Sequence, residues 1–198
     1  MAQIYAKSTA GRVHNQKIEA KLVIGNALLD RDAILETIVR EYSADIARLA
    51  NRLLGWPGEV DDIVQDVFVS AYTGLKKFRY ECDIKGWLFT ITINKCRSYR
   101  YKKMLRFKFF EKLAGSTSFE QTENLDDKQI KDETFEDVRR AVSKLPAKYR
   151  EAVVLKYLQE MKTSDITQIL GIKENTLNVR LNRARGLLEK KLAYLMKE

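Results

Sequence analysis

Residues 163–188 read TSDITQILGIKENTLNVRLNRARGLL, and no other stretch limits the fold as tightly. Ile166, Ile169 and Leu170 recur at helical spacing and stop at Gly171. Leu177 begins a second helical series, with Leu181, Ala184 and Leu188 at +4, +7 and +11. Only Gly171, Ile172 and Lys173 separate the two series, and the glycine stands where a helix must end sharply, a position suited to positive φ. The expected elements are a short helix over about 164–170, a turn at 171–173 and a longer helix over about 174–190. That is the helix-turn-helix layout, in which the second helix enters the major groove of DNA.

At about 100° per residue, the face opposite Leu177, Leu181, Ala184 and Leu188 holds Asn175, Val179, Asn182, Arg183 and Gly186, with Thr176, Asn178 and Arg180 at its margins. Arginine and asparagine are the side chains best shaped for paired hydrogen bonds to guanine and adenine edges. A purely structural helical hairpin shares this apolar pattern. The charge balance favours DNA: 36 Lys and Arg against 27 Asp and Glu leave a net charge of +9. An excess of that size points to a polyanionic partner, either nucleic acid or an anionic membrane surface.

The rest of the chain reads as helical too, with only two prolines and nine glycines in 198 residues. Residues 1–28 read as a polar tail, with a helical turn expected around KIEAKLVIGNALL. A helix starting at Asp30 or Asp32 places Ile34, Ile38, Tyr42, Ile46, Leu49 and Leu53 on one face, and LGWPG at 54–58 stops it. In the next segment Val60, Ile63, Val64, Val67, Phe68 and Ala71 share a face, while Asp61, Asp62, Gln65 and Asp66 lie off it. The positive end of a helix explains Asp61 and Asp62 adequately, and Asp66 less well. WLFTITINKCRSYRYKK at 87–103 begins apolar and turns cationic with interleaved tyrosines. Residues 95–112 carry eight basic side chains and one acid, net +7; residues 119–137 carry eight acids and two lysines, net −6. The cationic run fits a solvated face, a membrane-surface helix or a strand-binding surface in which aromatics stack on unpaired bases. The acidic run reads as a linker. Beyond it, FEDVRRAVSKLPAKYREAVVLKYLQE is helical, with Pro146 at a first turn and Val153, Val154, Tyr157 and Leu158 on an apolar face.

Several function classes find no support. Cys82, Cys96 and His14, widely spaced, cannot assemble a four-ligand zinc site, so no metal is expected. No phosphate loop or nucleophile–base pair is recognisable, so no catalytic residue, cofactor or small-molecule substrate is expected. No segment has the roughly 18 apolar residues of a membrane span. The N-terminus lacks the apolar core of a secretory signal, and a cytoplasmic, reduced protein without a disulfide is expected.

The two halves together resemble a known family. GEVDDIVQDVFVSAYTGLKKF followed by GWLFTITINKCRSYRYKK resembles the promoter-melting domain of bacterial sigma factors. LPAKYREAVVLKYLQEMKTSDITQILGIKENTLNVRLNRARGLLEKKL resembles their C-terminal promoter-binding domain. A short linker with no intervening domain resembles the extracytoplasmic-function (ECF) class of the sigma-70 family, and the likeness covers about 30–198.

The resemblance implies an all-α protein of two small helical domains joined by a flexible linker, the C-terminal one containing the helix-turn-helix. The divisions are a tail at 1–28, a region 2-like domain at 29–104, a linker at 105–134 and a region 4-like domain at 135–198. Asp61, Asp62, Gln65 and Asp66 would dock on the clamp helices of the largest subunit of core RNA polymerase, and the second-largest subunit would contribute its flap. Tyr80, Asn94, Lys95, Arg97, Arg100, Lys102 and Lys103 would meet the −10 element, with Asn94 near the pocket for a flipped base and the cations on strand phosphates. Asn175, Thr176, Asn178, Val179, Asn182 and Arg183 would read the −35 element. The implied partners are core polymerase, promoter DNA and an anti-sigma factor, in this class often membrane-bound. Holoenzyme would hold the chain at the nucleoid.

The chain departs from the family pattern at several positions. Ser98 and Arg100 stand where an acid and an apolar residue are usual, which makes this helix end more cationic. Thr167 replaces a small alanine, Asn178 replaces a frequent basic residue, and Lys162 replaces a serine cap, leaving Thr163 as the expected cap. The competing function is a stand-alone helix-turn-helix regulator that needs no polymerase; a peripheral membrane protein using 99–113 is a further rival.

Overall fold

The computed structural model describes residues 31–55, 60–78, 83–114 and 133–193. Seven α-helices and no strand occur among them: α1 (Arg31–Leu54), α2 (Asp61–Gly74), α3 (Ile84–Ala114), α4 (Glu133–Ser143), α5 (Ala147–Val153), α6 (Thr163–Leu170) and α7 (Glu174–Leu192). A 3₁₀ turn (Leu75–Lys77) extends α2, and a π-helical turn (Val154–Leu158) extends α5.

Helices α1, α2 and α3 form the first domain. The expected stripe of α1 is the buried one: Ile38, Tyr42, Ile46, Leu49 and Leu53 meet Ile63, Val67, Phe68 and Ala71 of α2 and Leu88, Phe89 and Ile93 of α3. Each fully buried aliphatic side chain contributes about 1.5–3 kcal/mol. Exposed ion pairs such as Lys85–Asp45 add only about 0–1 kcal/mol each, so the apolar stripe sets the packing. Gly55, with φ at +87°, ends α1 within the LGWPG stretch.

Asp83 caps α3: its Oδ1 accepts the Gly86 N–H at 2.8 Å. A Cβ at 86 would lie 2.6 Å from that oxygen, so a side chain there would push the Asp83 carboxylate off its cap. Trp87 is half-buried and stacks at a tilt on Phe78, with ring centroids 4.9 Å apart, as an anchor at the rim of the core. With 31 residues, α3 is about 46 Å long. It continues to Ala114, so residues 105–114, expected as linker, are helical.

Helices α4 to α7 form the second domain. Short helix α6 and longer helix α7 flank the turn at the expected places. Gly171 is left-handed (φ 64°, ψ 40°), and the Ile172 N–H reaches back to the Thr167 carbonyl at 3.0 Å, closing a Schellman cap. Thr163 does not cap α6. It is the first helical residue, Lys162 occupies the cap position without a side-chain bond, and the Thr163 hydroxyl instead accepts from Lys156 Nζ at 3.3 Å. Thr167 fits between the helices by turning its hydroxyl onto the Ser164 carbonyl, 2.7 Å away in its own helix. Tyr157 was expected on the apolar face but is exposed. The wider π turn shifts the phase, so that Val153, Val154 and Leu155 face inward together.

The domains pack against each other, and one apolar cluster runs from Ile38 in α1 to Ala184 in α7. Gly171 has open space where a Cβ would go, so Gly171→Ala should register only backbone strain. The expected cost is about 1–2 kcal/mol, read as a lower urea midpoint at unchanged m-value. No loss would mean that the turn tolerates an ordinary residue.

Candidate nucleic-acid interface

The exposed side of α7 carries the residues the sequence placed there. Leu177 and Ala184 are buried and Leu181 and Leu188 half-buried, which turns Asn175, Thr176, Asn178, Val179, Asn182 and Arg183 to the surface. Val179 is 48% exposed, an apolar contact of the size that suits a thymine methyl. Tyr149 of α5 lies beside this face: hydrogen bonding to Arg183, against slight desolvation and with help from nearby Lys148, holds its phenol below the usual range. Six of the expected reading residues therefore share one surface, backed by a rigid helix.

The acidic face of α2 is equally open. Asp61, Asp62, Gln65 and Asp66 are all exposed, and Ile63, Val67 and Phe68 hold the opposite side in the core. Lys95 of α3 approaches Asp66 to 4.0 Å, an outer-limit ion pair across a largely exposed carboxylate.

The cationic run on α3 divides into two parts. Residues 101–109 are exposed throughout, including Lys102, Lys103, Tyr101 and Phe107. Asn94 is exposed as well, with its Oδ1 3.5 Å from Arg97 Nη1. Arg97 and Arg100, expected to project towards a DNA strand, instead turn back onto Glu151 of α5. Arg97 donates from Nε to Oε1 at 3.1 Å and from Nη2 to Oε2 at 2.8 Å. Arg100 Nη2 donates to Oε1 at 2.8 Å. Hydrogen bonding to Glu151 outweighs desolvation and raises the Arg97 pKa above its ordinary value. Tyr80 lies outside the described residues.

Glu151 was not singled out from the sequence, yet its side chain is only 3% exposed. One local signal existed: this acid heads the run Ala152, Val153, Val154, Leu155, all of it buried. An acid at the start of such a run needs a partner, because burying an unpaired carboxylate is prohibitive. Its partners are 51 and 54 residues away and carry no local signature.

A second contact joins the same surfaces. The Leu53 carbonyl at the end of α1 accepts from Arg100 Nη1 at 3.1 Å and from Arg150 Nη1 at 3.0 Å. Arg150 Nη2 also donates to Leu145, at 3.0 Å. Burial, then the neighbouring Arg100 charge, brings the Arg150 pKa down to about 10, against the pull of Glu151. Arg52 donates to the Leu158 carbonyl, which the π turn leaves at the surface of the second domain.

On the far side of α7, Val153, Tyr157, Leu181, Leu188 and Leu192 line an open, largely apolar groove. No cluster of metal-ligating side chains and no helix long and apolar enough to cross a membrane occurs among the described residues.

Comparison with known proteins matches this geometry in two places. Residues 38–105 match the family model for sigma-70 region 2, and residues 135–188 match that for sigma-70, region 4. The chain is 30% identical over 173 residues to the ECF RNA polymerase sigma factor SigW of Bacillus subtilis, covering 84% of this chain and 92% of that one. It is 29% identical over 181 residues to the ECF RNA polymerase sigma factor SigM of Mycobacterium tuberculosis, covering 91% and 88%. The structure is similar to that of the sigma factor RpoE in complex with the anti-sigma factor NepR from Bartonella quintana. The TM-score is 0.62 at 25% identity, over 80% of this chain and 96% of that one.

Cys96 is buried and free, beside Arg100 and Glu151, and burial pushes its thiol up to about 12 despite the Arg100 charge. Cys82, the other cysteine of the chain, lies outside the described residues. A thiol so protonated is a poor nucleophile at pH 8. Alkylation with iodoacetamide followed by peptide mass spectrometry should leave Cys96 unmodified in the folded protein and label it in denaturant. Fast labelling of the native chain would contradict the packing between the domains.

Proposed function

The chain belongs to the ECF class of the sigma-70 family of RNA polymerase sigma factors, and from that membership we propose the following division of labour. The first domain docks on core RNA polymerase and opens the −10 region, and the second reads the −35 element. The observation that carries this reading is the pair of exposed faces, acidic on α2 and asparagine- and arginine-rich on α7, each backed by its own buried stripe. Asp61, Asp62, Gln65 and Asp66 contact the clamp helices of the largest subunit. The apolar groove beside Leu181 and Leu188 receives the flap of the second-largest subunit, since an apolar surface of that kind calls for an apolar partner.

Asn175, Thr176, Asn178, Val179, Asn182 and Arg183 contact the −35 element. Asn94, Lys95, Arg97, Arg100, Lys102 and Lys103 contact the −10 strand. The work is done by binding energy: cations neutralise strand phosphates, while exposed rings such as Tyr99 and Tyr101 stack on bases as they leave the duplex. The protein has no bond-making step of its own and acts as a specificity subunit in the cytoplasm. RpoE of Bartonella quintana was solved with an anti-sigma factor, and an anti-sigma factor is proposed as a partner here too.

Run-off transcription with purified core polymerase tests the whole reading. Specific transcripts should appear only when this chain is present; promoter binding by the chain alone without transcripts would favour a stand-alone regulator. Charge reversal of Asp62 and Asp66 to Lys should weaken polymerase binding at least tenfold in a pull-down titration, with far-UV circular dichroism unchanged, because both residues are exposed. Arg183→Ala should remove about 1–3 kcal/mol of discrimination against a −35 mismatch. A mutant that still penalises the mismatch as the parent does would exclude Arg183 from the reading face.

A further inference from the structure

Of the six described residues assigned to the −10 strand, Arg97 and Arg100 are bound to a buried carboxylate of the second domain. Arg97 offers a two-pronged guanidinium fork to Glu151, and Arg100 adds a third bond to the same carboxylate. A carboxylate and a phosphate make the same demand of arginine: two anionic oxygens, spaced to accept parallel N–H donors. Glu151 therefore holds the place that a strand phosphate would take. The contact is not a surface accident. The Glu151 side chain is 3% exposed, and Arg100 is 23% exposed.

We propose that Glu151 is an intramolecular competitor for the DNA strand, which latches the second domain onto Arg97 and Arg100 and keeps them from the −10 element until the domains part. This rests on the reading of Arg97 and Arg100 as strand contacts. Two further clasps hold the same closed arrangement: Arg150 on the Leu53 carbonyl, and Arg52 on the Leu158 carbonyl. The cluster is built to fail together. Two guanidiniums, those of Arg97 and Arg100, bind one carboxylate and the Arg150 charge lies close by, so removing the carboxylate leaves partly buried like charges near each other at the domain boundary. Conversely, polymerase and a DNA strand, by drawing Arg97 and Arg100 away, leave Glu151 buried without a partner and drive the domains apart. Opening and strand engagement are thus one coupled event.

The departure at position 100 acquires a role in this scheme. An arginine there supplies one bond to Glu151 and one to Leu53, so it links the competitor to the first domain's own backbone.

The test uses the full chain carrying Cys82→Ser and Cys96→Ala, with spin labels at Thr73→Cys and Lys190→Cys, both exposed positions on separate domains. Pulsed dipolar spectroscopy reads the distance between domains, and titration with a short oligothymidylate reads strand affinity without any promoter sequence. The parent should give one narrow distance. Glu151→Gln should give a longer, broader distribution and a several-fold gain in affinity, because the closed parent meets the oligonucleotide without Arg97 and Arg100. The log–log salt slope should steepen by about 1.4, since each newly contacted strand phosphate adds about 0.7. Arg52→Gln loosens the closed form from outside the carboxylate cluster and should act in the same direction, which guards against Glu151→Gln simply failing to fold. Placing Glu151→Gln in an Arg97→Gln, Arg100→Gln background should open the domains with no gain in affinity.

Unchanged distances in both Glu151→Gln and Arg52→Gln would overturn the latch. Separated domains with unchanged affinity and slope would overturn the competition, and would remove Arg97 and Arg100 from the strand contacts. The docking face on α2 and the reading face on α7 would stand in either case, because their tests use polymerase and the −35 element.

Discussion

A single carboxylate sets the arrangement of the two domains. Glu151 is buried at the start of the most apolar run in the second domain, and a buried charge without a counter-charge is unsustainable. Arg97 and Arg100 satisfy it from the first domain, and this fixes the azimuth of α3 against α5. The Arg97 fork is directional, so the pairing defines an orientation that apolar contact alone would leave loose. Breaking such a pair from one side costs far more than the pair contributes on balance, which makes it a better switch than a glue.

Around this contact, each domain is held by ordinary means. Buried stripes on α1, α2 and α3 form one half of the core, and α5, α6 and α7 form the other. The exposed faces are by-products of the same stripes. Because Leu177 and Ala184 must be inside, Asn178 and Asn182 must be outside, and because Ile63 and Val67 must be inside, Asp62 and Asp66 must be outside. Packing thereby aims the binding groups without spending any special geometry on them, as expected where function is carried by rigid helices.

What could be read from the sequence follows the range of the forces involved. The stripe of α1, the glycine turn at Gly171 and the outward face of α7 are local patterns of period 3.6, and all three appear where the residues place them. The exposure of Tyr157 was not legible, since a π turn changes the phase of a helix without any marker in composition. The α3 extension from 105 to 114 was hidden for a different reason: from 97 to 109 no buried residue recurs to signal a helix, although nothing in the segment breaks one. The capping role expected of Thr163 failed because Lys156, seven residues earlier, takes the hydroxyl. Glu151 belongs to the class of contacts that no local window contains. The faces assigned to polymerase and DNA remain assignments of chemistry to surface, and the sequence suggested them through family likeness more than through physics.

Two of the clasps between the domains end on main-chain oxygens, those of Leu53 and Leu158. A peptide carbonyl is present whatever side chain occupies its position. The acceptor half of these clasps therefore cannot be lost by an ordinary substitution at 53 or 158 that preserves the helix, whereas the donor half disappears with any change of Arg52 or Arg150. Genetic variation in such a joint is one-sided. Drift can weaken these two clasps only through the codons of Arg52 and Arg150, and a lineage that needs a looser joint can tune each of them by one guanidinium without disturbing the cores on either side.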